Sequence, residues 1–477
     1  MDGYADHDGL GLAGLVAKGE ASPEELLMAA LERAKAAQSE LNCFSALFPE
    51  LARAQRSGAP ATGRFAGVPF VTKDLAAGVK GAPLTNGSRA WRGNNTDADS
   101  VLVERFKSAG FAIFGQTTSP EFGLTTSTES LLFGQTRNPW DTSRTSGGSS
   151  GGASAAVASG VVPVAHASDG GGSIRIPAAC TGLFGMKPSR GRTPMGPSTT
   201  EGWNGQSCHG VISRTVRDSA AALDAIQGPE IGSRYIAPPP DGTFLSALDR
   251  DPTSLRIALW TTAPNGTRPN EEAMTGLLRT AKLLEDLGHT IVEDGPKLDG
   301  EALGKGLMMT VSAAMAMVFG ARESELGRPL GAEDMEPVTA RFREFGNTIP
   351  MVELMRANQA SIQAGLDFDH FMEDGGYDII LAPTLSRAPD RLGVLSLNPD
   401  DFDAYGEAVT TFAPWCAVFN QIGAPAMSMP LHWTAEDLPI GMMFGARCGQ
   451  ERALFSLAGQ VERAAPWSDR KPPVWVG

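Results

Sequence analysis

Hydrophobic and polar positions along the chain switch between helical and strand-like spacing, with capping and breaking residues at the changes. Ser22-Pro-Glu-Glu-Leu reads as an N-cap, a proline at the first helical position and acids in the first turn. That predicts a helix running to about Gln38, and residues 51–56 predict a second, short one. Residues 68–75 predict a strand entered through Gly67. Residues 100–109 carry an amphipathic helical pattern, and residues 111–114 a short buried strand after it. The Ala/Ser-rich residues 151–159 predict a helix, and 161–165 a strand. Strand, helix and strand of this length suggest a crossover unit in a sheet. Further helices are predicted over 215–226, 271–287 (stopped by Gly288) and 451–463, with strands over 255–259 and 378–383. Residues 228–243, rich in Pro and Gly, predict a long connection between a core half and a later half. No internal repeat or low-complexity tail interrupts the pattern.

Composition narrows the class. The 477 residues are 42% hydrophobic and 20% charged, ordinary for a globular chain with a large core. A net charge of −14 without any Lys/Arg run argues against nucleic acid as a partner. The five cysteines (Cys43, Cys180, Cys208, Cys416 and Cys448) are odd in number and form no Cys-x-x-Cys pair. That argues against a disulfide framework or a zinc cluster, and a reducing cytoplasm is the simplest setting. The acidic N-terminus lacks the basic-then-apolar pattern of a secretion signal. The longest apolar run, 306–321 between Lys305 and Arg322, falls short of the ~20 residues a membrane span requires. It reads as a Met-rich buried helix or a pocket wall, and no membrane partner is expected.

Three segments carry candidate chemistry. Ser146-Gly-Gly-Ser-Ser-Gly-Gly-Ala-Ser154 and Ser168-Asp-Gly-Gly-Gly-Ser-Ile-Arg-Ile-Pro177 each present a serine in a glycine-rich loop, and Ser149 and Ser173 lie 24 residues apart. Upstream, Lys73 ends the apolar run Gly67-Val-Pro-Phe-Val-Thr-Lys73. Consecutive glycines cost backbone entropy and pack nothing. They can, however, turn several N–H groups toward one point, as an oxyanion hole does. The same segment could form a tight turn or an anion nest, and the first loop lacks the ending of a P-loop and the pattern of a dinucleotide site. A lysine base working near pH 8 needs its pKa of about 10.4 lowered by about 2 units, or roughly 3 kcal/mol. Burial supplies such a shift, and Asp74 or Asp169 would oppose it if either faced the amine. Serines and a neutral lysine suffice for acyl transfer without metal or histidine. None of the six histidines forms an i, i+4 metal pair. His166 is expected on the strand before the second loop, and a Ser-His-Asp arrangement remains the competing reading.

Taken together, these motifs resemble the amidase signature family. The likeness continues through Gly185-Met-Lys-Pro-Ser189, Arg214-Thr-Val-Arg-Asp218, Pro425-Ala-Met-Ser-Met-Pro430 and Leu438-Pro-Ile-Gly441. It covers almost the whole chain and is densest over residues 65–220. The resemblance implies an α/β fold, a large mixed twisted sheet flanked by helices. It also implies one amidase domain over 1–477, with 65–220 as catalytic core and 1–60 as an N-terminal helical segment. By family position Ser173 is the nucleophile, Ser149 the bridging serine after a cis peptide bond, and Lys73 the base. Gly170, Gly171, Gly172 and Ser173 supply the oxyanion-hole N–H groups, Thr125 approaches the substrate, and Asp169 and Arg175 form a structural charge pair. No cofactor or metal is implied. The loops around Glu121–Glu129 and Ala165–Gly172 look most similar to the branch containing 6-aminohexanoate-cyclic-dimer hydrolase, whose members cleave xenobiotic or small hydrophobic amides. Trp415 and Cys416 are candidates for the pocket wall or the core. The expected partner is a small-molecule amide, with a homodimer possible. Carbamate or ester hydrolysis is the alternative on the same site. An amidotransferase subunit or a non-catalytic binding protein are the remote ones.

Overall fold

An eight-stranded mixed sheet organises the chain, in a computed structural model that describes residue 1, residues 3–56 and residues 63–477. Its order is Thr290–Glu293, Arg256–Leu259, Ile379–Pro383, Pro439–Gly445, Ala426–Trp433, Phe184–Lys187, Cys208–Ser213 and Val164–Asp169. The first three strands pair in parallel, and every later neighbour pairs antiparallel. Ile379–Pro383 and Pro439–Gly445 are buried along their whole length, which is why they read as continuous apolar runs. Helices Arg175–Thr181, Val216–Ile226, Glu271–Asp286 and Glu451–Ala464 pack onto this sheet.

A smaller sheet, Phe44–Leu47, Ala112–Thr117 and Pro69–Lys73, lies beside the edge strand Val164–Asp169. Its parallel pair, Pro69–Lys73 with Ala112–Thr117, is joined through helix Val101–Ser108. This parallel crossover lies here and not at residues 151–165, where the sequence pattern placed one. After helix Gly151–Ala158 the chain instead enters an antiparallel edge, because Val164–Asp169 pairs with Cys208–Ser213. The two sheets are bridged by a side chain: the Lys73 N–H donates to His166 Nδ1 at 3.0 Å.

Local signals match the observed elements where caps are explicit. Ser22 and Glu25 form a reciprocal capping box for helix Pro23–Leu41, which runs past the expected end. Thr215 caps Val216–Ile226, and Asn270 caps Glu271–Asp286. The short helix is Pro49–Arg56, and residues 57–60 of the expected N-terminal segment lie outside the described residues. The connection at 228–243 contains no regular element, yet it does not divide the core, because strands from both sides of it join the same sheet. The apolar run belongs to a longer helix, Gly300–Leu326, which by length and composition could cross a membrane. Its Met309, Val311, Met315 and Phe319 are buried against protein, and it packs on helices Pro337–Gly346 and Met351–Asp374. All five cysteines are free thiols, and only Cys448 is exposed.

One ion pair ties the last helix to the sheet. Glu451 accepts from Arg192 Nε at 3.0 Å, Arg192 Nη2 at 3.1 Å and the Ser189 N–H at 2.9 Å. Both side chains are almost fully enclosed, at 2% and 0% exposure. Removing one partner of such a pair strands the other charge in the interior. Glu451→Ala is therefore expected to lower unfolding free energy by about 3–5 kcal/mol in urea titrations, and the double replacement Arg192→Met/Glu451→Leu to recover most of that loss.

Candidate active site

Two glycine-rich loops and the end of the strand Pro69–Lys73 meet at one buried point. Lys73 lies at that strand's C-terminal end with 0% exposure. Its Nζ lies 2.7 Å from Ser149 Oγ and 3.1 Å from Ser168 Oγ. Burial pushes the amine down to about 7, with Asp169 pulling the other way. A large fraction is therefore an uncharged base at neutral pH. Asp74, next in sequence, is turned away: its carboxylate accepts from the Thr85 N–H at 2.7 Å and the Thr85 hydroxyl at 2.5 Å.

The Gly148–Ser149 peptide bond is cis. Ser149 then precedes helix Gly151–Ala158, whose small residues are all buried. On its other side Ser149 meets Gly123, where φ is +70° and an added Cβ would lie 2.8 Å from Ser149 Oγ. Only glycine combines that backbone with that approach.

Ser173 is half-buried, on the turn between strand Val164–Asp169 and helix Arg175–Thr181. Asp169 shapes this turn by accepting from the Gly172 N–H at 2.7 Å, the Ile174 N–H at 3.1 Å, Arg175 Nε and Nη2 at 3.0 Å each, and Asn420 Nδ2 at 2.9 Å. Burial alone would raise the Asp169 carboxyl. The charges of Arg175 and Lys187 and the Asn420 hydrogen bond overcome it and hold the group ionised. The expected Asp169–Arg175 pair is thus present and fully buried.

Gly172 departs from the expected oxyanion-hole set, because its N–H is already held by the Asp169 carboxylate. The N–H groups of Gly170, Gly171 and Ser173 have no acceptor among the described residues. An added Cβ at Gly171 would meet nothing within 4 Å, so the backbone at Gly171 faces open space. Thr125 is buried, and its hydroxyl donates to the Leu395 carbonyl at 2.8 Å. Trp415 and Cys416 are both 0% exposed. Cys416 presses on Gly172, where an added Cβ would lie 2.8 Å from its own. They belong to the core behind the loop, and do not line a pocket.

The histidine alternative fails on geometry. His166 lies on strand Val164–Asp169, as expected, with Nδ1 accepting from the Lys73 N–H. A neutral ring then carries its proton on Nε2, which faces His209 Nδ1 at 3.0 Å. Burial keeps both rings uncharged, holding His166 well below the usual imidazole range and His209 at about 4. Neither nitrogen of His166 is left to serve a serine.

Sequence reasoning assigned no role to Ser168, the second partner of Lys73, or to Asn420, which donates to the Asp169 carbonyl and carboxylate and to the Gln206 carbonyl. Ser168 was visible as the residue opening the second loop. Asn420, 251 residues from Asp169, had no local signal.

A profile of the amidase family matches residues 25–455. The chain is 34% identical to 6-aminohexanoate-cyclic-dimer hydrolase of Paenarthrobacter ureafaciens, over 98% of this chain and 96% of that protein. Its fold matches a structure of 6-aminohexanoate cyclic dimer hydrolase complexed with substrate at a TM-score of 0.93, with 31% identity, over 99% of this chain and 100% of the other. It also matches a bacterial aryl acylamidase of the amidase signature family at a TM-score of 0.87, with 26% identity and 97% of each chain covered. On these grounds the chain belongs to the amidase family and is an amidohydrolase of carbon–nitrogen bonds other than peptide bonds.

Proposed function

We propose that this amidase hydrolyses small, uncharged, hydrophobic or aryl amides through an acyl-enzyme on Ser173, with Ser149 as proton relay and Lys73 as base. The observation that carries the reading is the fully buried Lys73 amine, pushed down to about 7, 2.7 Å from Ser149 Oγ. Nothing but burial lowers that amine, and an uncharged amine aimed at a hydroxyl is a base waiting for a proton.

The chemistry follows from these groups. The Lys73 lone pair takes the Ser149 proton as Ser149 takes that of Ser173. Ser173 Oγ bonds to the amide carbon, and the carbonyl π pair moves onto oxygen. The N–H groups of Gly170, Gly171 and Ser173 receive that oxyanion. The carbon–nitrogen bond then breaks, and Ser149 returns a proton to the departing amine. Water repeats the sequence against the ester, releasing the acid and restoring Ser173. Carbamates and esters present the same carbonyl to the same groups, so they are the alternative substrates. The relatives named for amide hydrolysis support the amide reading. A cytoplasmic setting agrees with five unpaired thiols.

A panel of anilides, linear amides and carbamates tests the substrate class. Turnover of none by folded enzyme would overturn it. Ser173→Ala is expected to abolish turnover with the unfolding transition unchanged, checked by peptide mass spectrometry showing that a sulfonyl fluoride labels Ser173 only in the unsubstituted enzyme. Lys73→Ala is expected to lower kcat by about 10²–10⁴. The base works unprotonated, and its protonated fraction falls as pH rises through about 7. kcat/KM should therefore climb about tenfold per pH unit below that value and level off above it. A profile that declines above neutrality with intact protein contradicts a lysine base.

A further inference from the structure

Two aromatic residues beside the catalytic groups hold left-handed backbones that bulky side chains rarely adopt. Phe122 has φ +49°, Trp203 φ +51° and its neighbour Asn204 φ +55°. Such outliers persist only where the surroundings enforce them, and they gather at functional sites. Phe122 directly precedes Gly123, the residue that abuts Ser149 Oγ. Trp203 lies over the nucleophile loop: a Cβ added to Gly170 would sit 2.8 Å from both Cε3 and Cζ3 of the indole.

The surroundings of Trp203 are built to hold it. Asn204 Nδ2 donates to Asn358 Oδ1 on helix Met351–Asp374 at 2.8 Å. Arg190 Nε donates to the Gly205 carbonyl at 2.7 Å, and its Nη2 reaches the carbonyls of Asn420 and Gln421. The Gln206 N–H closes a turn onto the Trp203 carbonyl. Trp203 itself is only half-buried.

Phe122 and Trp203 both pack against one apolar cluster, separate from the main core, that includes Leu124, Val311, Met315, Phe319 and Leu397. The carboxylate next to Phe122 is turned inward: Glu121 is 0% exposed, accepting from the Ser88 hydroxyl at 2.6 Å and the Glu336 N–H at 2.7 Å.

We infer that Phe122 and Trp203 are the specificity-determining walls of the site, Trp203 being the platform on which an uncharged apolar group flanking the scissile carbonyl packs. The inference rests on the proposed Ser173 mechanism and names the substrate feature that the site selects. An indole against Gly170 stands beside the N–H groups that would hold the carbonyl oxygen, which places the ring next to a chain attached to that carbonyl. Aromatic faces take extended alkyl or aryl groups by burial alone.

The test uses the full-length enzyme with acetyl and hexanoyl 4-nitroanilides, and with hexanamides of methylamine and hexylamine to read the amine side. Trp203→Gly suits the left-handed backbone, so the variant keeps the loop geometry while losing the ring. The unsubstituted enzyme is expected to prefer the longer chain in at least one series. Trp203→Gly should reduce that preference in kcat/KM about tenfold or more, with the loss in KM, and Trp203→Phe should restore most of it. A preference that survives Trp203→Gly in both series, or an equal kcat loss on every substrate, overturns the inference and leaves the Ser173 mechanism standing. An unsubstituted enzyme that cleaves neither anilide nor amide overturns both.

Discussion

The buried pairing of Asp169 with Arg175 sets the terms for the rest of the site. An ionised carboxylate in this interior would attract the Lys73 ammonium and keep it charged. Arg175, Asn420 and two backbone N–H groups take up the carboxylate instead. The residual pull of Asp169 on Lys73 is then weaker than the cost of burying the amine charge, and the amine falls to about 7. The same carboxylate folds the turn that presents Ser173 and holds back the Gly172 N–H, while the N–H groups on either side of Gly172 stay free. One ion pair thus bears on the Lys73 amine and shapes a loop.

Around this pair, polar groups are arranged so that each proton has one place to be. The Lys73 backbone N–H fixes the tautomer of His166, and His166 passes its ring proton toward His209. Neutral imidazoles serve here as a hydrogen-bonding seam between two sheets, where further positive charge would oppose itself. Ser168 gives Lys73 Nζ a second contact, beside the one to Ser149. Low dielectric makes these hydrogen bonds strong and makes any unpaired member costly, so the seam is also a rigid one.

Legibility followed sequence distance. Caps such as Ser22 and Thr215 and stops such as Gly288 act within one turn, so the helices they bound could be read directly. The strand end at Lys73 and the loops around Ser149 and Ser173 were legible because glycine loops and an apolar strand end are local patterns. Their resemblance to a known family added the roles. The fate of Gly172 was not legible, because it turned on the direction of a side chain three residues away. The long connection at 228–243 looked like a boundary. Only strand pairing showed that Arg256–Leu259 and Ile379–Pro383 extend the same sheet whose edge strand Val164–Asp169 leads into the second glycine loop.

The amino-acid sequence by itself determined the two glycine loops with their serines and the apolar strand that ends in Lys73, because each depends on neighbours along the chain. Tertiary structure decided that the Lys73 amine is pushed down to about 7, that Asn420 braces Asp169 and that Trp203 covers Gly170. Desolvation and contact between residues tens to hundreds of positions apart exist only after the sheets have formed, and no local pattern encodes them.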